Sequence, residues 1–175
     1  RALEWAVCHP ERVAACAVIA ANARVSAEQL AWGRTQALAI RQDPHFRGGD
    51  YYGGPHPAEG LGLARRIAHI TYRSAHELAA RFGREAQDGS ASGDDAGFAD
   101  AIGPRGGWGA ARPHRTVDRG RYRVESYLDH QALKLVARFD ANAYLSVNET
   151  LMSHDVARGR GSLRQALART RREWL

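Results

Sequence analysis

The segment LARRIAHITYR, residues 63–73, spaces Arg65, His69 and Tyr72 at i, i+4 and i+7. At 3.6 residues per turn this puts all three on one helical face, with Leu63, Ile67 and Ile70 on the opposite, core-facing one. Arg offers a rigid fork of donors matched to a carboxylate, and Tyr adds a neutral donor. The face therefore suits a small anionic molecule. The same spacing also describes a solvated amphipathic helix.

Other chemistry is absent from the sequence. Nucleophilic catalysis on an α/β sheet needs a Ser on a strained strand-to-helix turn of the form GxSxG. The look-alike GSASG at residues 89–93 carries Ala at the nucleophile position within a polar stretch. The eight histidines, at positions 9, 45, 56, 69, 76, 114, 130 and 154, lack the HExxH or Cys/His spacing of a metal site. No GxxxxGK[ST] phosphate loop occurs. The chain offers no complete catalytic constellation, and no residue is assigned to catalysis or to a metal.

The elements that must position the Arg65 face follow from periodicity and caps. Residues 2–8 read as a helix without a capping residue in front, which points to a missing upstream partner and thus to a fragment. Residues 13–20, VAACAVIA, read as a strand buried on both faces. A helix feeding such a strand is the second half of a βαβ unit. Ser26 opens a helix to about Arg41 that ends at Asp43-Pro44. HFRGGDYYGGPHP, residues 45–57, is a structured loop rich in Gly and Pro. Helices follow at about 58–73 and, capped by Ser74, 74–86. Residues 87–120 read as an exposed insertion. Helical periodicity resumes over 121–139, where Val124, Leu128, Leu135 and Phe139 share a stripe, and Asp140-Ala141-Asn142 can cap a helix to about 155. A basic amphipathic segment closes the chain.

The 175 residues carry 25 Lys+Arg against 19 Asp+Glu, a net charge of +6. The cations are almost all Arg, spread along the chain, with Lys134 the only lysine. This pattern reads as base-composition bias rather than a clustered nucleic-acid surface. The longest apolar run, residues 13–21, is about half of the roughly 20 residues that a membrane helix needs. Cys8 and Cys16, without a CxxC or secretory context, read as buried free thiols in a reducing cytoplasm.

ALEWAVCHPERV, RQDPHFRGGDYY, GLARRIAHITYRS, YRVESYLDHQALKLVARFDANAYL and NETLMSHDVARGRG occur in this order. Together they closely resemble the homoserine O-acetyltransferase family, especially its actinobacterial members, over about residues 1–160 apart from 87–120. The resemblance implies a fragment of an α/β-hydrolase: residues 1–25 as one helix and one buried strand of the core, 26–158 as a mostly helical lid, and 159–175 as a divergent basic tail. It implies acetyl transfer from acetyl-CoA to L-homoserine through an acyl-serine, in methionine biosynthesis. The catalytic Ser would lie just before Arg1, and the Asp and His beyond Leu175. Acetyl-CoA is then a co-substrate, with no bound cofactor. Family substrate binding falls on Arg65, as a grip on the homoserine carboxylate, and Tyr72 becomes a pocket donor. Asp50, Tyr51 and Tyr52 either shape a tunnel mouth or form a turn that packs aromatic rings. His69 takes a structural or rim role. Tyr127, Leu128 and Phe139 make core or dimer contacts, the lid implying a homodimer; neither nucleic acid nor membrane is expected as a partner. Alternatives are serine or homoserine O-succinyl transfer within the family, or a non-catalytic basic helical binding module.

Overall fold

The computed structural model describes residues 2–85 and 122–170. Seven α-helices are formed among them: α1 (Ala2–Cys8), α2 (Ala27–Arg41), α3 (Ala58–Thr71), α4 (Ala75–Phe82), α5 (Arg123–Val136), α6 (Ala141–Met152) and α7 (Leu163–Leu167), with a 3-10 turn at Arg47–Gly49. The expected insertion at 87–120 and the end of the basic tail lie outside the described residues. Two compact units emerge, Trp32–Ser146 and a second made of Arg1–Ala31 with Val147–Leu175.

Side-chain caps fix several helix starts where the sequence places them. Ser26 accepts the Gln29 amide at 3.2 Å while the Gln29 side chain accepts the Ser26 amide at 3.0 Å, a reciprocal capping box for α2. Ser74 accepts the Glu77 amide at the start of α4, and Ser162 with Gln165 forms a second box at α7. Asp140 accepts the Ala143 amide at 2.7 Å and opens α6.

The Trp32–Ser146 unit holds the candidate site. Its core gathers Ile40, Phe46, Tyr51, Leu61, Ala64, Leu135 and Ala141. Gly60 permits the tight approach of α3 to the end of α2. A Cβ there would lie 2.5 Å from the Ala39 carbonyl oxygen and 2.9 Å from both Ile40 Cα and Asp43 Cβ. Pro57, at the N-cap of α3, makes no side-chain cap, and buried Asp43 substitutes by accepting the Gly60 amide at 2.8 Å. One residue thus ends α2 and starts α3. Helix α3 packs along α5, and Arg66 locks the pair through Asp129 at 2.6–2.7 Å.

In the other unit, Leu3 and Val7 of α1 pack with Val156, Ala157 and Ala166. Arg160 reaches Glu4 at 3.2 Å and the Val156 carbonyl at 2.8 Å.

Three expectations change. The strand expected at 13–20 is not formed; near it, an isolated antiparallel bridge joins Arg24 to Asp155. A strand exists only through a neighbouring strand that pairs with its amides and carbonyls, and the described residues show no β pairing at 13–20; Ile19 stands 86% exposed. The cysteines are free but not buried, Cys8 exposed and Cys16 half-buried. Helix α1 turns Leu3, Ala6 and Val7 inward and leaves Cys8 on its outer side. The third concerns α3. Its buried side is Gly60, Leu61, Gly62, Ala64, Ala68 and His69, whereas Leu63 and Ile70 are 48% and 46% exposed. Small residues allow backbones to approach closely, so they, and not the bulkier stripe, face the partner helices.

Candidate functional site

Arg65, His69 and Tyr72 do share one side of α3, and they touch. The Arg65 guanidinium sits 5.9 Å from the Tyr72 ring centroid, and the His69 and Tyr72 rings are 5.5 Å apart. Arg65 is half-buried, and its Nε is fully buried without a hydrogen-bond partner. Unlike Arg66, it has no carboxylate partner among the described residues. An Arg positioned by an aromatic ring with donors unspent suits an incoming carboxylate. Tyr72, 64% exposed at the C-cap of α3, presents its ring and hydroxyl at the surface of this site.

His69 is not at a rim: it is 8% exposed. Its Nδ1 lies 2.8 Å from the Tyr127 hydroxyl, to which Arg73 Nε donates at 3.1 Å, while its Nε2 is buried without a partner. Burial, followed by the positive charges of Arg65 and Arg73, holds its pKa below the ordinary 6.5. The imidazole is therefore neutral near pH 7. Tyr127 is a hub here, with Phe82 at 4.9 Å and the Arg73 and Arg81 guanidinium groups 5.3 and 5.4 Å from its ring.

Two further residues belong to this surround. The Tyr144 hydroxyl donates to Gln36 Oε1 at 2.7 Å. Burial, reinforced by Tyr72 and opposed by Arg65, pushes the Tyr144 pKa up to about 12. It is a neutral donor under all working conditions. Sequence reasoning missed both. Gln36 lies within an apolar helical run and Tyr144 more than 70 residues beyond Arg65, so no local spacing links them.

The GGDYY loop forms a clasp. The buried Tyr51 hydroxyl donates to Asp140 and accepts the Ala141 and Asn142 amides at 3.0 and 3.2 Å. Its ring packs on Phe46, Tyr52 and His56. Burial, followed by the hydrogen bond to Asp140, raises the Tyr51 pKa to about 12. Burial pushes Asp140 upward, but hydrogen bonds from Tyr51, the Ala143 amide and Tyr52 outweigh it and hold the carboxyl below its ordinary value. Tyr52 also donates to Asp140 at 3.2 Å, and the Asn142 side chain donates to the Gly49 carbonyl at 2.9 Å. The left-handed turn at Gly48 and Gly49, φ 67° and 104°, is what presents that carbonyl. Asp50 is exposed. Aromatic packing thus describes Tyr51.

Among the described residues, no group of His, Cys, Asp and Glu could hold a metal ion, and no helix is long and apolar enough to cross a membrane.

The fold recurs in known structures. The chain aligns over 96% of its length with a homoserine O-acetyltransferase from Bacillus anthracis (TM-score 0.73, 22% identity, 39% of that chain). It aligns over 99% with an acetylester hydrolase from Corynebacterium glutamicum (TM-score 0.66, 21% identity, 40% of that chain). The chain thus has the fold of a part of each of these two proteins. Sequence narrows this. The chain is 48% identical over 171 residues to the homoserine O-acetyltransferase of Thermobifida fusca and 45% over 168 residues to that of Corynebacterium diphtheriae, covering 97% and 96% of itself. It matches a segment of the homoserine O-acetyltransferase family and spans about 40% of the length of these relatives. No family model matches the chain.

Proposed function

We propose that this chain is the acceptor-binding helical lid of a homoserine O-acetyltransferase acting in cytoplasmic methionine biosynthesis. The observation that carries the reading is Arg65: half-buried, stacked near Tyr72, with a buried donor that nothing in the fold uses. The names of these relatives supply the chemistry. The acetyl group leaves the sulfur of acetyl-CoA for a serine oxygen outside this chain, releasing the CoA thiol. The homoserine hydroxyl then takes the acetyl from the serine, which regains its proton. Residues 26–158 bind and orient the acceptor and exclude water, so that transfer outruns hydrolysis. Arg65 grips the acceptor carboxylate and Tyr72 adds a neutral donor. Tyr51 anchors the loop whose exposed Asp50 and Tyr52 shape the tunnel mouth.

The test is product formation by the intact protein that carries this chain. Acetyl-CoA and L-homoserine are expected to give O-acetyl-L-homoserine and free CoA. Release of CoA with acetate as the only acyl product would overturn the reading. A second copy is the partner that suits the exposed Leu63 and Ile70, a dimer contact that a purely monomeric sedimentation profile would contradict.

A further inference from the structure

Two buried N–H-bearing groups one turn apart on α3 have no acceptor, Arg65 Nε and His69 Nε2. Buried polar groups in folded proteins are nearly always paired, so two orphans on one face call for an explanation. The Tyr127 hydroxyl supplies part of it. Arg73 can only donate, so it occupies one lone pair of that oxygen. His69 Nδ1, 2.8 Å away, is the acceptor that the described contacts offer for the hydroxyl's single proton, and with that assignment the imidazole proton sits on Nε2. Burial, followed by the charges of Arg65 and Arg73, disfavours a second proton. His69 is thus held as a neutral donor with its N–H unspent, against the same Tyr72 ring that positions Arg65.

We propose that His69 Nε2–H and Arg65 form a paired donor site for the carboxylate of the amino-acid acceptor, with Tyr127 and Arg73 as positioning residues that fix the His69 tautomer. The inference rests on the acceptor-site reading above and extends it to a residue to which the family resemblance gave a structural or rim role. A neutral donor beside a cation has a physical merit. It adds a hydrogen bond to the carboxylate without a third buried charge, whose desolvation would oppose binding.

The experiment compares two acceptors in the intact enzyme: L-homoserine and 3-amino-1-propanol, which keeps the hydroxyl and amine but lacks the carboxylate. His69→Leu is expected to lower kcat/KM for homoserine about ten-fold or more, the size of a lost hydrogen bond to a charged group, mainly through KM. It should leave kcat/KM for 3-amino-1-propanol nearly unchanged. Tyr127→Phe, which unlocks the tautomer, is expected to act in the same carboxylate-dependent direction by a smaller factor. An equal loss on both acceptors from His69→Leu would mean a structural role only and overturn the proposal. If that variant does not fold, Tyr127→Phe decides: a loss confined to homoserine supports the pair, and equal effects on both acceptors overturn it. Arg65→Ala in the same assay separates the two levels of failure. A homoserine-specific loss there with none at His69 rejects the pair alone, whereas no specific loss at either residue rejects the acceptor site itself.

Discussion

Tyr51 shows how much one hydroxyl can organise. It accepts two backbone amides at the start of α6 and donates to Asp140, so the GGDYY loop and α6 are ordered together. Tyr51→Phe keeps the ring packing but strands two amides, one of them on fully buried Ala141. The loss should be about 1–3 kcal/mol, read as a lower thermal midpoint of the intact protein. Tyr52→Phe, at a 67% exposed residue, should cost much less. Equal effects would show that Tyr51 is not the hub. From the sequence, a turn that packs aromatic rings and a cap at Asp140 were legible, but not the hydroxyl that joins them. Tyr51 and Asp140 are 89 residues apart, and only the folded chain brings them together.

Helix positions, by contrast, were readable where a cap announces them, as at Ser26, Ser74 and Asp140, because capping is local chemistry. Which side of α3 faces inward was not. A hydrophobic stripe of Leu63, Ile67 and Ile70 argues for one orientation, yet packing selects the side with Gly60, Ala64 and Ala68, which lets other helices close in. The strand at 13–20 failed for a related reason: its apolar run specifies burial, but a ladder needs a neighbour. Close approach at Gly60 gives the element-scale prediction. Gly60→Ala forces a methyl group to within 2.5 Å of the Ala39 carbonyl and must displace α3 from α2. Calorimetric melting is expected to show a loss on the order of 1–3 kcal/mol, the usual cost of overpacking. A gain in stability, as the better helix propensity of Ala alone would give, would contradict the close-packed geometry.

At the scale of the whole molecule, the chain matches about two-fifths of its relatives' length. Arg65, His69 and Tyr72 could be placed on one helical face from the sequence, because side chains on a helix can be counted, while the substrate roles of Arg65 and Tyr72 came from the family resemblance. The sequence could not reveal that His69 is buried with a spare donor, nor that Tyr127, Tyr144 and Gln36 stand around them, since these come from α2, α5 and α6. Under the proposed function, acceptor recognition lies in this segment and bond-making in the rest of the protein. The most direct measurement is the homoserine dependence of the intact enzyme with Arg65→Ala. Loss of a charged hydrogen bond of about 1.5–3 kcal/mol predicts a KM for homoserine raised roughly 10- to 150-fold, with the acetyl-CoA dependence little changed. An unchanged KM for homoserine, or an equal rise for both substrates, would contradict it.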